Sequence, residues 1–295
     1  MDFYARVRTS LLFWTHEIPL PPVDAKSFPK LQSRHYFHHS LQQWAPVSND
    51  DTREHAQPLR DNDGLSPSDL VLLTWNIDAA SARTEDRVTE TITFITHLNP
   101  TVHIVFLQEV PRAALEQILK DERIRGSWFS SKRDDTAWGK QSFATMTLLS
   151  KTCFALAALG PIWRVAYPSH FGRDALCCDL FPLPNRRRIR LVNVHLDSLR
   201  IQPSHRPQQI SIVSSFLRSA SHGLVAGDFN SVLEEDATLL ERSGLTDVWT
   251  ALHPNDSGYT WGTDGEQLFP PNRMDKVAMI GLDPHSIKIH WSHTD

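Results

Sequence analysis

Four apolar runs in this chain end in hydrogen-bonding residues of one chemical kind, and that recurrence narrows the folds open to it. VLLTWN ends in Asn76, with Asp78 two residues on. IVFLQE ends in Gln108 and Glu109, LVNVH ends in His195 followed by Asp197, and LVAGDFN ends in Asp228 and Asn230. Side chains alternate along a strand, so Asp228 and Asn230 point to one side. Where strand ends open into a crevice, such residues converge. For the last run a turn is the competing reading, because Gly, Asp and Asn are also turn formers. Any single polar end is accounted for by helix capping or by exit to solvent. Four ends carrying Asn, Asp, Glu or His, and no Lys, are harder to explain separately. Glu109 stands out, since it sits between a buried strand and Pro111 where an apolar residue would be easier to accommodate.

The spacing between these runs predicts a layered α/β fold. TEDRVTETITFITHL places Val88, Ile92, Ile95 and Leu98 on one helical face. PRAALEQILK carries Ala114, Leu115, Ile118 and Leu119 on another, with proline at the start. HRPQQISIVSSFLRS is a third helix. SFATMTLLS, ALCCDLF, RIRLVNVHL and DKVAMIG read as further strands, several adjoining without a helix between them. That order favours mixed sheets over a barrel of repeated units. Residues 1–66 are rich in Pro, His and polar residues without a sustained period, and read as an N-terminal extension, partly irregular or linker. Two aromatic clusters within it, Phe13-Trp14 and Tyr36-Phe37, are candidates to dock on the domain at 67–295.

Composition excludes some classes. No apolar run is long enough to span a bilayer, and the N-terminus lacks the cleavage site of a signal peptide. Three cysteines, Cys153, Cys177 and Cys178, have no metal-like spacing and suit the cytosol or nucleus. A net charge of -4 argues against a general nucleic-acid coat and leaves room for a local basic patch. Carboxylates and amides are hard ligands that suit Mg²⁺, with Mn²⁺ as a substitute, and the lack of a Cys/His cluster argues against zinc. A hard cation, an Asp base and a His around one cavity form a kit for hydrolysing a phosphate ester.

The ordered set TWNID, LQEV, VNVHLDS, AGDFN and NRMDK resembles the endonuclease/exonuclease/phosphatase superfamily of metal-dependent phosphoesterases. HLDSLR, SHRPQQI, LTDVWTAL and GYTWGTDG extend the resemblance toward its 5′-tyrosyl-DNA phosphodiesterase branch, over about 70–281. The resemblance implies a four-layer α/β/β/α sandwich. It implies that Glu109 binds Mg²⁺ with Asp78 and Asn76 close to the ion, and that Asp228 activates the attacking water. Asn230 would hold Asp228 and the phosphate, His195 would stabilise phosphoryl charge, and Asp275 would buttress a further His. Ser198, Arg206 and Trp261 would meet the substrate, a DNA 5′ end carrying tyrosine or a peptide, in nuclear DNA repair. Read without the resemblance, Trp261 is a core aromatic rather than a ligand contact, and the resemblance is what sets the two readings level. Arg206, at a helix start where a cation opposes the dipole, hints at an outside anion or is a solvated surface residue. The closing residues Ser292-His293-Thr294-Asp295 depart from the superfamily's Ser-Asp-His order. A chain without a last C-terminal strand and with weak or no turnover is the expectation drawn from that departure. Another ester within the superfamily, such as an abasic-site strand or a lipid, and DNA-end binding without turnover are the alternatives.

Overall fold

Along the strand Ile189–His195 the side chains take turns between two cores. Val192 and Val194 pack with Ile210, Val213 and Phe216. Leu191 packs with Phe106, Leu149 and Leu176. A computed structural model describes residues 27–47, 69–138, 141–154, 158–182, 187–265 and 269–291. Its strands are β1 (Pro29–Gln32), β2 (His35–His38), β3 (Gln43–Pro46), β4 (Leu72–Asn76), β5 (Ile104–Pro111), β6 (Trp128–Ser130), β7 (Phe143–Ser150), β8 (Leu159–Ala166), β9 (Asp174–Leu180), β10 (Ile189–His195), β11 (Gly223–Asp228), β12 (Thr246–Asp247) and β13 (Asp275–Ile280). The helices are α1 (Thr84–His97), α2 (Arg112–Lys120), α3 (Glu122–Ser127), α4 (Arg206–Ala220), α5 (Leu239–Arg242) and α6 (Val248–Leu252).

One sheet runs β1-β8-β9-β10-β11-β13-β12 and the other β3-β2-β6-β7-β5-β4. Three cores separate four layers. α4 and α5 cover the outer face of the first sheet. α1, α2 and α3 cover the outer face of the second. The core between the sheets draws Ile104 and Phe106 from one and Leu191, Leu224 and Met279 from the other. The expected α/β/β/α sandwich is therefore the fold.

Each sheet contains one parallel pair, and this fact positions the site. β4 lies parallel to β5, with α1 as the crossover, so Asn76 falls opposite Gln108. β10 lies parallel to β11, with α4 as the crossover, so His195 falls opposite Asp228. Parallel pairing brings both carboxyl ends to the same edge. The two sheets meet face to face there, and the four polar strand ends become neighbours. β13 runs antiparallel to β11 and starts at Asp275, directly opposite Asp228.

Two departures from the sequence reading are local. Within the stretch read as an N-terminal extension, β1 pairs with β8, while β2 pairs with β3 and, at His35, with β6. Phe37 is buried and Tyr36 packs on the core between the sheets. Four-residue strands are too short to raise a period-2 signal above a polar, His-rich background. Phe13-Trp14 and Ser292–Asp295, including His293, lie outside the described residues. β8, absent from the strands named in the sequence, carries Gly160 and Pro161, residue types that interrupt a strand pattern, and is paired to β9 from Ile162 onward.

Candidate active site

Gly227 decides between turn and strand. It is the penultimate residue of β11, with φ at 140°, and a Cβ there would lie 2.0 Å from the Val194 carbonyl oxygen. The glycine serves close approach of two parallel strands, not a turn. Asp228 is thereby held at the strand end. Its Oδ1 accepts from the Asn230 backbone N–H at 2.9 Å, and Asn230, at φ 47°, turns the chain away. The Asn230 amide donates to the Leu196 carbonyl at 3.1 Å, tying the loop after β11 to the loop after β10.

Glu109 reaches the site through an irregularity. Strict alternation would put it on the same face as Leu107, toward the helices. Between Leu107 and Val110, β5 carries one residue more than β7, and Glu109 takes φ 51°. Leu107 and Val110 both remain in the outer core, and the bulge turns the carboxylate to the opposite side. Oε2 accepts from the Ala79 backbone N–H at 3.0 Å. Asn76 then bridges the carboxylates. Its Nδ2 donates to Asp228 Oδ2 at 3.0 Å and lies 3.4 Å from Glu109 Oε1. Its Oδ1 accepts from the Asp78 N–H at 2.9 Å, which fixes the orientation of the amide.

His195 is buried opposite them. Arg173 Nη1 donates to its Nδ1 at 2.7 Å. A guanidinium only donates, so the ring proton resides on Nε2. Nε2 lies 3.6 Å from Glu109 Oε1 and 3.5 Å from Asp228 Oδ2, buried and without a hydrogen-bond partner. Burial, then the Arg173 charge, hold the imidazole well below its usual range, so it is neutral. The acids move the other way. Burial and the Asp275 charge push Asp228 up to about 8. Asp275, whose Oδ1 is also buried and unbonded, is pushed up to about 6, chiefly by burial. The carboxylate oxygens of Glu109 and Asp228 lie within 4.8 Å of one another and of His195 Nε2. The crowded, unbalanced carboxylates fit a hard divalent cation, while the buried His195 Nε2–H is left as a donor to an anion.

The remaining sequence candidates divide. Ser198, Trp261, Asp78 and Asn230 line the cleft into which Asn76, Glu109, Asp228 and Asp275 open. Trp261 is half-buried, held by a backbone bridge to Asn272. Asp78 is outside the carboxylate–His cluster: its Oδ1 accepts from the Ala80 N–H at 3.1 Å, a local turn following its positive φ. Arg206 does not reach the cleft. It is buried, with Nε donating to Asp236 Oδ2 at 2.9 Å and Nη1 donating to the Asp197 and Leu199 carbonyls. The anion at this helix start belongs to the chain itself.

Two residues escaped the sequence reading. Arg173 follows a turn between β8 and β9, where no pattern marks it. It also lies over the Phe143 ring at 4.7 Å and donates to Ser198 Oγ at 3.4 Å. Asn193 sits mid-strand in β10, accepting from Gln108 Nε2 at 2.8 Å and donating to the Met146 carbonyl at 2.9 Å. An amide inside an apolar run is its signal. This buried pair clips the two sheets together directly beneath the site.

Residues 73–277 match the Endonuclease/Exonuclease/phosphatase family, a span that holds every residue of the cluster. A 5′-tyrosyl-DNA phosphodiesterase from Caenorhabditis briggsae is 27% identical over 254 residues, which cover 80% of this chain and 66% of that one. This chain thus spans just under two thirds of that relative's length. The D. rerio TDP2 structure complexed with single strand DNA product superposes with a TM-score of 0.58 at 22% identity, covering 72% of this chain and 84% of that chain. The human Nocturnin catalytic domain superposes with a TM-score of 0.52 at 16% identity, covering 72% and 83%. These likenesses carry the fold. The family match carries the membership: this chain belongs to the endonuclease/exonuclease/phosphatase family.

Proposed function

We propose that the chain is an Mg²⁺-dependent phosphodiesterase that hydrolyses the link between tyrosine and a DNA 5′ end. The observation that carries this reading is the convergence of Asn76, Glu109, His195, Asp228 and Asp275 from both sheets onto one cleft. The identity to a 5′-tyrosyl-DNA phosphodiesterase supports the choice of ester. Glu109, and the acids beside it, would hold the ion, and Mn²⁺ would substitute. When bound, the ion supplies charge neutralisation for the phosphoryl oxygens.

The chain's own residues supply the rest. Asp228, held at the strand end by Asn76 and the Asn230 N–H, takes a proton from the attacking water. The water oxygen bonds to phosphorus, the bond from phosphorus to the tyrosyl oxygen breaks, and a 5′-phosphate and tyrosine result. Phenol has a pKa of about 10, so the leaving group needs less help than an alkoxide. His195 presents a neutral Nε2–H to a phosphoryl oxygen, in the tautomer that Arg173 holds. Asn76 keeps Asp228 and Glu109 in mutual register, and Ser198 and Trp261 border the path of the strand. Such a substrate arises in DNA repair, and a nuclear setting is proposed with it.

The test is a panel: a 5′-phosphotyrosyl oligonucleotide, an abasic-site duplex and a phosphoinositide, each with Mg²⁺. Preferential release of tyrosine supports the reading. Turnover of either other ester without tyrosine release replaces it with that ester, and binding of the oligonucleotide without any cleavage replaces it with end binding.

A further inference from the structure

Beside the catalytic cleft lies a second group of ligand-forming side chains that the phosphodiesterase reading does not use. His170 is in the turn between β8 and β9, Asp197 follows β10 by two residues, and His205 immediately precedes α4. Their ligand atoms lie within 4.8 Å of one another. His205 Nδ1 stands 3.5 Å from Asp197 Oδ2, and that nitrogen is buried with no hydrogen-bond partner. Asp197 is itself almost wholly buried. Its oxygens are oriented by the Ser169 hydroxyl, which donates to Oδ1, and by the His170 backbone N–H, which donates to Oδ2 at 2.8 Å. Outer hydrogen bonds that aim a carboxylate in this way are typical of ligating acids.

We propose that His170, Asp197 and His205 form a second metal site that takes a borderline transition-metal ion of the Zn²⁺ class. Two imidazoles and one carboxylate, with room for solvent, are the donor set such ions prefer, whereas Mg²⁺ prefers oxygen alone. The spacing of Asp197 and His205 already suits two ligands about 2.0–2.1 Å from one ion. The third ligand must move. The His170 and His205 rings stack at 4.1 Å with their planes 6° apart, so their lone pairs run in parallel planes. His170 is the exposed member of the stack, and a side-chain rotation brings its nitrogen round to the ion. The bound ion would join the β8–β9 turn to the loop after β10. Those two segments carry Arg173 and Ser198, which meet at 3.4 Å beside His195. The site stands independently of which ester the cleft hydrolyses.

The experiment is a Co²⁺ titration of the metal-free full chain, read by visible d–d absorption and by bound metal after gel filtration. It is run on the parent, on Glu109→Gln, on His170→Ala and on His205→Ala. With millimolar Mg²⁺ present throughout to occupy the catalytic cleft, the parent and Glu109→Gln each bind one equivalent of Co²⁺, which Zn²⁺ displaces. His170→Ala, at an exposed position that leaves the circular dichroism unchanged, and His205→Ala each weaken binding by about 100-fold, the upper end of what a lost supporting group costs. Equal binding by both histidine variants, or loss of binding in Glu109→Gln alone, assigns the ion elsewhere and overturns the proposal. No Co²⁺ retained by the parent at micromolar protein overturns it outright.

Discussion

Asp228→Asn stabilises the metal-free protein while removing its activity. Asp228 sits opposite Asp275 in the β11–β13 register, with Glu109 contributing a further negative charge. Its folded carboxyl is raised from 3.8 to about 8 by burial and then by Asp275. Between those two values the folded state keeps a proton that the unfolded chain has already lost. Stability is therefore full below the lower value and erodes as the pH rises through the upper one. That displacement sets a ceiling on the order of 5 kcal/mol at alkaline pH. Part of that gain is given back. Asp228 accepts from both Asn76 Nδ2 and the Asn230 N–H. The introduced amide has one acceptor oxygen, so one of these buried bonds is lost at about 1–3 kcal/mol. A net gain of about 2 kcal/mol remains near pH 8, or roughly 4–8 °C in melting temperature for a domain of this size. Near pH 4 the gain vanishes and the lost bond makes the variant the weaker protein. The assay is thermal unfolding at both pH values in chelator, repeated with millimolar Mg²⁺. Mg²⁺ is expected to raise the parent's melting temperature more than the variant's. A variant less stable than the parent at pH 8 in chelator refutes the charge-crowding argument. Equal Mg²⁺ shifts in both proteins place the ion away from Asp228.

Other expectations are simpler to state. Glu109→Gln keeps the Ala79 contact and the fold but loses Mg²⁺-dependent turnover by about 10²-fold or more; steady-state rates across an Mg²⁺ series, beside a melting curve, check both halves. Gly227→Ala forces a Cβ against the Val194 carbonyl at a φ that L residues avoid, and a loss of more than about 3 kcal/mol is expected in urea unfolding. Trp261→Ala weakens single-strand binding by about 1–3 kcal/mol if the ring stacks on a base; a large fall in melting temperature at unchanged affinity makes it a packing residue.

Much of the site was legible because its parts lie at the carboxyl ends of two parallel pairs. Asn76, Gln108, His195 and Asp228 close apolar runs, and the crossover helix α1 has a clear 3.6-residue period. The pattern cannot say that the runs belong to two sheets that face one another. Glu109 was noticed for its chemistry, while alternation alone would have turned it toward the helices; the bulge that corrects this depends on pairing with β7. Arg206 was read as meeting an outside anion or solvent, and the anion it meets is the buried Asp236, thirty residues downstream, which no local spacing marks. Arg173 was invisible because its partner His195 is brought to it by the β9–β10 pairing and not by any local spacing. The strands at Pro29–Pro46 were missed because strands of four residues, two of them at sheet edges, bury too few side chains to show a period.

The most direct measurement follows one turnover of a 5′-phosphotyrosyl oligonucleotide by the parent and by Asp228→Asn, with and without Mg²⁺, resolving free tyrosine and the 5′-phosphorylated strand. Equimolar tyrosine and 5′-phosphate from the parent with Mg²⁺, little without it, and a rate lower by several powers of ten in the variant at similar DNA affinity are the predicted results. Tyrosine release that survives in the variant, or that proceeds equally well in chelator, would contradict the account.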